Sequence, residues 1–166
     1  MTKTLFKAAL AATAATGLFA SPAMAQSIEP FTATATIVKP LELTKVSDLD
    51  FGTITMGSGL TSSDVVVTQS GAGSTCGANL TCTAPTPGSF TIAGVGLQGV
   101  DISYTAPASL DDGAGNTVAF TADAPASVTL LADGTGAFGF GGTITVDAAT
   151  VDGVYSATFD VTAAYN

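Results

Sequence analysis

The chain contains no histidine, no tryptophan and no arginine, and its 4 basic residues are all lysines. Without histidine and arginine, the usual general bases, Ser-His-Asp triads and phosphate clamps cannot be assembled. Paired carboxylates remain as an acid-base option, but each pair stands in a predicted turn, where aspartate typically caps the backbone. With no tryptophan to line a sugar cleft, these pairs do not indicate a glycosidase. We therefore expect a non-catalytic protein without a cofactor. The pairs are Asp48 with Asp50, Asp111 with Asp112, and Asp147 with Asp152.

Positive charge is scarce, and the formal net charge of the chain is −9 at pH 7. The 13 acidic residues are spread along the chain, mostly in predicted turns, where they keep a surface rich in threonine, alanine and glycine soluble. A protein that binds nucleic acid or anionic lipid through its surface needs basic patches to neutralise phosphates. The composition therefore excludes nucleic acid as an expected partner.

The start of the chain has the pattern of a signal peptide. Lys3 and Lys7 precede an apolar run over residues 8–20, and residues 23–25 form an Ala-Met-Ala cleavage site. No later stretch approaches the roughly 18 apolar residues that span a bilayer. We predict cleavage before Gln26, export through the periplasm to the cell surface or exterior, and no membrane insertion. The alternative is an ordinary N-terminal helix.

Removing residues 1–25 from the 166-residue chain leaves 141 residues, the size of one domain with its own core. Short runs rich in valine, isoleucine, threonine and aromatic residues alternate with turns made of glycine, aspartate and proline, a pattern typical of β-strands. Since no window beyond the leader has a helical period, the pattern predicts an all-β, antiparallel, Ig-like β-sandwich, with a closed barrel as the alternative. The glycines of residues 136–142 indicate either a bulged strand or a close approach between sheets. The predicted strands are residues 31–38, 41–44, 49–54, 64–69, 89–93, 100–105, 117–122, 127–131, 136–140, 143–146 and 154–165.

The two cysteines, Cys76 and Cys82, lie close together in a segment of small and polar residues. In an exported protein such a pair predicts a disulfide, and two free thiols are the alternative. Without histidine the pair cannot complete a zinc site. Closing so short a loop restricts the unfolded chain by roughly 2 to 2.5 kcal/mol, and we expect the bridge to stiffen a hairpin tip.

One loop offers oxygen ligands for a metal ion. Asp111, Asp112 and Asn116 could bind calcium, with Asp101, Asp123 and Asp133 as further ligands if the fold brings them near. The spacing matches neither an EF-hand nor a calcium-binding nonapeptide repeat. An Asx-type hairpin turn explains the same residues, so the sequence assigns no metal site.

Both ends of the mature chain alternate strictly between apolar and polar residues, which predicts two half-buried strands. Near the start, the apolar positions alternate with threonines, and Lys39-Pro40 then separates this segment from the next predicted strand, residues 41–44. The apolar positions are Phe31, Ala33, Ala35 and Ile37 at the start, and Tyr155, Ala157, Phe159, Val161, Ala163 and Tyr165 at the end.

These features resemble subunits of chaperone-usher pili, particularly the archaic and spore-coat-U-like branch. The resemblance is carried by the threonine-rich first segment, by Leu-Asp-Phe-Gly-Thr at residues 49–53, and by the closing stretch from Gly153-Val-Tyr155 to the penultimate Tyr165. The chain is also similar to an uncharacterised family of small secreted bacterial domains with Ala-Thr-Ala-x-Ile-x-x-Pro-Leu near the start, here residues 33–41. The resemblance covers the beginning and the end of the mature chain.

The resemblance implies an incomplete Ig fold, residues 41–166, preceded by an extension, residues 26–40. A periplasmic chaperone would supply the missing strand first, and the extension of the next subunit would supply it after assembly at an outer-membrane usher. Partners would be other copies or related subunits in a surface fibre. Donor side chains would be Phe31, Ala33, Ala35 and Ile37, and the acceptor strand would present Tyr155, Phe159, Val161 and Tyr165.

Two features depart from the pilin pattern. The family's disulfide joins early strands, whereas Cys76 and Cys82 close a local loop, and the extension is short enough to be the first strand of a complete domain. The alternative is therefore a self-contained secreted or cell-surface β-sandwich module that serves in binding or adhesion and that calcium could stabilise.

Overall fold

The computed structural model describes residues 27–166. The predicted signal peptide, residues 1–25, lies outside the described residues. Residues 37–166 form one compact unit, and residues 27–36 belong to a separate one. The described residues form strands and no helix, so this part of the chain has no helix that could cross a membrane. The strands are β1 (Glu42–Ser47), β2 (Thr53–Met56), β3 (Ser62–Val67), β4 (Thr75–Cys76), β5 (Leu80–Thr83), β6 (Gly88–Ala93), β7 (Gly99–Tyr104), β8 (Ser109–Asp111), β9 (Thr117–Asp123), β10 (Ser127–Thr129), β11 (Thr135–Asp147) and β12 (Val161–Tyr165).

Every strand pairing is antiparallel, which confirms the predicted all-β, antiparallel sandwich. In the main sheet, β6 lies between β1 and the first half of β11, and the second half of β11 lies between β3 and β9. The short strands β4 and β8 extend this sheet from β3 and β9. A three-stranded sheet has the order β10-β7-β12, and β2 pairs with β5 in a separate ribbon.

The core lies along the inner face of β11, where alternate side chains point away from solvent. Phe138 and Phe140, in its first half, pack with Val100 and Ile102 of the three-stranded sheet. The second half contributes to a further cluster that includes residues of β3 and β9 and is covered by side chains of the β2–β5 ribbon. The two smaller sheets thus cover different halves of one long strand.

Residues 136–142 belong to one continuous strand, so the separate strands predicted at 136–140 and 143–146 are a single element. The glycines there permit a close backbone approach. A Cβ at Gly139 would overlap the carbonyl group of Gln69, and one at Gly141 would overlap that of Val67. The approaching backbone belongs to the end of β3 and the residues after it, and β3 lies in the same sheet as β11, so the approach is within one sheet and not between sheets.

The strand predicted at residues 31–38 is wrong for the described chain, because no strand begins before Glu42. Alternation alone does not make a strand, since its backbone donors and acceptors must also find a neighbouring strand. The final strand is also shorter than predicted: β12 comprises Val161–Tyr165, and residues 154–160 run outside it apart from a single bridge between Ser156 and Asp111.

The predicted disulfide is present between Cys76 and Cys82, with the two Cα atoms 5.8 Å apart. Cys76 lies in β4, which pairs with β3, whereas Cys82 lies in β5, which pairs with β2. The bridge therefore does more than stiffen a hairpin tip. It fastens the β2–β5 ribbon to the edge of the main sheet.

Candidate functional site

An open groove of about 880 Å³ lies between residues 150–161, which lead into β12, and the β1–β2 side of the sandwich. One wall carries Tyr155, Phe159 and Val161, and the opposite wall carries Phe51 and Ile54. Among the strands of residues 37–166, β12 pairs only with β7, β1 only with β6, and β2 only with β5. Each of these strands therefore keeps one edge whose backbone groups have no strand partner.

The floor of the groove is the inner face of the main sheet. Its apolar side chains come from β8, β9 and β11 and are largely part of the core, so the floor is rigid and apolar. Charged groups stay near the rim, where the Lys45 ammonium lies 2.7 Å from the Asp48 carboxylate in an exposed ion pair. The floor residues are Leu110, Val118, Phe120, Phe140, Ile144 and Val146.

Phe51 reaches the groove because the chain bends sharply after it. The Asp50 carboxylate accepts a hydrogen bond of 2.7 Å from the Gly52 amide, and Gly52 has φ +72°. A Cβ at Gly52 would overlap the Thr83 carbonyl oxygen, so only glycine fits this bend. The Leu-Asp-Phe-Gly-Thr motif thus links β1 to β2 and buries Phe51 against the core.

Three of the four predicted acceptor residues line the groove. Phe159 stands at its centre, with ring centroids 5.6 Å from Phe140 and 6.1 Å from Phe120, and it packs against both core clusters. Val161 follows in β12. Tyr155 lies toward the far end, where its hydroxyl donates to the Val151 carbonyl at 2.7 Å. Partial burial, followed by the negative charges of Asp112 and Asp152, raises the pKa of Tyr155.

Tyr165, the fourth predicted acceptor residue, packs against the same core cluster as Val161 but does not line the groove. Its hydroxyl accepts a hydrogen bond from the Val95 amide at 2.8 Å and donates one to the Lys39 carbonyl at 3.2 Å. Because Tyr165 ends β12 and Lys39 leads into β1, these bonds tie the two walls together. We call this arrangement the Tyr165 clasp, and it lies beyond the Val161 end of the groove.

The predicted donor side chains lie on an exposed segment. Residues 27–36, taken by themselves, form no strand, and the Phe31 side chain is 93% exposed. Ile37, the first residue of the compact unit, is 94% exposed. Ala33 and Ala35 are exposed as well. Covering apolar side chains that are this exposed to water lowers the free energy of the protein in water.

The loop considered for calcium is built as a hairpin turn. The Asp112 carboxylate accepts hydrogen bonds from the Asn116 side chain at 2.6 Å and from the Ala114 amide at 2.8 Å, while Asp111 accepts one from the Gly113 amide. These bonds, with that from Asn116 first, lower the pKa of Asp112. Within residues 27–166, no group of three or more acidic or cysteine side chains is placed to hold a metal ion.

The floor of the groove was missed at the sequence level because its residues come from three separate strands. A signal was present, since Val118 and Phe120 alternate with threonine and alanine in β9, and Ile144 and Val146 alternate with polar residues in β11. Alternation shows that such residues face inward. It does not show which part of the inner face is left without a covering strand.

A family model described as "Domain of unknown function (DUF4402)" matches residues 41–165. Because the match spans most of the 166-residue sequence, the chain belongs to this family. No curated protein and no solved structure matches the chain. The matched region begins just before β1 and ends with the clasp tyrosine, so it contains both walls of the groove.

Proposed function

We propose that this member of the DUF4402 family is a non-catalytic structural subunit of a surface fibre, in which each groove is filled by the extension of another copy. The observation that carries the proposal is the combination of an open apolar groove with an exposed, alternating apolar segment in the same chain. Export to the cell surface, and a chaperone and an usher that act during assembly, are parts of this proposal.

The groove suits an extended strand better than a compact ligand. An entering strand can pair with the free edge of β12, as in the strand-addition mode of peptide recognition, and its alternate side chains then point at the floor. Each backbone hydrogen bond formed would contribute roughly 0.5 to 1.5 kcal/mol. The groove also weighs against a self-contained module, because such a domain would leave this seam exposed to water.

Residues 31–37 match the groove in chemistry. In extended form these seven residues reach about 23 Å. The segment carries no charge, so nothing ionic would be desolvated on insertion. Its threonines would face outward while the apolar positions cover the floor. Burying Phe31 and Ile37 would contribute about 1.5 to 3 kcal/mol each.

The clasp also indicates how copies would be arranged. It places Lys39, the root of the extension, beyond the Val161 end of the groove, where β12 terminates. A donor segment that runs antiparallel to β12 would bring its own Lys39 to the opposite end of the acceptor groove. Each copy would then stack head to tail on the next, and such a contact does not close into a ring of two but continues as a filament.

The test is the stability of the assembled form in detergent. Surface material from cells that express the wild-type chain should give a ladder on unheated SDS gels, and boiling should collapse the ladder to one band. The double substitution Phe31→Asp and Ile37→Asp should abolish the ladder and leave the amount of exported chain unchanged, because both side chains are more than 90% exposed in the single copy.

The matched control is the double substitution Thr32→Asp and Thr36→Asp, which adds the same two negative charges to the opposite side of the segment. It should keep the ladder, since both threonines would face solvent in the filament. A single unheated band from wild-type surface material would contradict the fibre proposal and favour a monomeric surface module. Equal loss of the ladder in the control would contradict the assignment of the donor face.

A further inference from the structure

We infer that Tyr165 decides which segment fills the groove, by holding the root of the extension so that a chain does not insert its own residues 31–37. This inference rests on the proposed function. Tyr165 acts here as a positioning residue, because it lies outside the groove and works through Lys39.

Self-insertion is the natural competitor of exchange between copies. A chain that turned back over residues 38–41 would lay its extension beside the free edge of β1, parallel to β12, and fill its own groove. Such an intramolecular reaction has a high effective concentration, because a short linker confines the segment near the site. A filament subunit therefore needs a feature that disfavours the turn.

The clasp supplies that feature. The turn would have to rotate the Lys39 carbonyl away from the Tyr165 hydroxyl, and it would break the bond that now joins them at 3.2 Å. Pro40 adds to this restriction, because the residue before a proline is held in an extended conformation. Leu41 packs against the core and fixes the other side of the would-be turn.

The position of the Tyr165 ring is itself tightly determined. A Cβ at Gly94 would overlap the Tyr165 hydroxyl and lie 2.9 Å from Leu41 and 3.1 Å from Leu130, so only glycine leaves room for the ring. The hydroxyl uses both its acceptor and its donor capacity, toward Val95 and Lys39. Phenylalanine would satisfy the apolar alternation of β12 equally well, and it could make neither bond.

The experiment compares Tyr165→Phe with the wild-type mature chain in binding a fluorescein-labelled synthetic peptide of residues 28–38. Full-length chains are refolded and kept dilute so that copies do not polymerise, and fluorescence anisotropy gives the apparent affinity. We expect Tyr165→Phe to bind the peptide about tenfold more weakly, because apparent affinity falls with the fraction of open grooves. Tenfold corresponds to about 1.4 kcal/mol.

The same pair of chains is then measured with Phe31→Asp and Ile37→Asp added, which disables self-insertion without touching the groove. In that background the two chains should bind the peptide equally, and the tenfold difference should vanish. If Tyr165→Phe weakens binding in both backgrounds, Tyr165 merely maintains the groove and the inference is overturned. Equal binding in the unmodified background overturns it as well. If no chain binds the peptide, the proposed function fails instead.

Discussion

Truncation of Phe31, the largest side chain of the proposed donor segment, offers a quantitative test of the proposal that the groove binds a strand. In a synthetic peptide of residues 28–38, we replace Phe31 with alanine and measure binding to a chain of residues 26–166 that carries Phe31→Asp and Ile37→Asp. That acceptor chain has an intact groove and no functional donor segment of its own. The peptide is therefore the only source of the inserted strand.

The magnitude depends on exposure before insertion and burial after it. Phe31 is 93% exposed in the single copy, so nearly all its apolar surface is available to be covered. Burying a phenylalanine side chain completely contributes about 1.5 to 3 kcal/mol. Most of this is lost on truncation to alanine, which corresponds to roughly 10- to 150-fold weaker binding.

Competition between labelled wild-type peptide and unlabelled variants gives the ratio of affinities directly. Thr34→Ala is the matched control, because it removes side-chain atoms from the face expected to point at solvent, and it should change the affinity by less than about threefold. If Thr34→Ala costs as much as Phe31→Ala, the peptide does not present the predicted face. If neither substitution matters, apolar burial does not drive insertion.

Two further predictions concern the sandwich itself. Replacing Cys76 and Cys82 together with serine should lower the free energy of unfolding in urea by roughly 2 kcal/mol, because the loop they close restricts the unfolded chain. Wild-type protein measured with reductant should show the same loss. Equal stability of the oxidised and the reduced protein would contradict this prediction. Because hydrogen bonds lower the pKa of Asp112 below 3.8, its contribution to stability is present above that pH and is lost as the pH falls through 3.8 toward the folded-state value. Asp112→Asn should therefore lose less stability than wild type on acidification across this window. Thermal unfolding followed by circular dichroism measures the loss. Parallel plots of stability against pH for the two proteins would refute a stabilising role of the Asp112 carboxylate.

Local patterns were sufficient for the fold class because they act over a few residues. Alternation in residues such as Val118 and Phe120, with glycine and aspartate at the turns, is set by the two-residue repeat of a strand and needs no knowledge of distant contacts. The disulfide could also be predicted from the sequence, since Cys76 and Cys82 are close in the chain. The same reasoning identified Phe159 and Val161 as apolar positions near the chain end.

Local patterns failed where a strand needs a partner. Residues 31–38 alternate as cleanly as β12, yet they form no strand among the described residues, because pairing depends on a neighbouring edge. Tyr165 shows the same limit in another way. Its place in the alternation predicted only a side chain on the apolar face, whereas its hydroxyl bonds to Val95 and Lys39, residues 70 and 126 positions away.

The sequence by itself determined that this is a β-protein with few basic residues, a leader-like start, two alternating ends and one short disulfide loop. Only the tertiary structure decided that β11 serves both halves of the core, that the residues leading into β12 and the β1–β2 side leave a seam between them, and that Tyr165 joins the end of β12 to the segment before β1. The physical reason is that periodicity assigns each side chain to a face of its own strand, whereas a groove exists only through the spacing of strands distant in the chain.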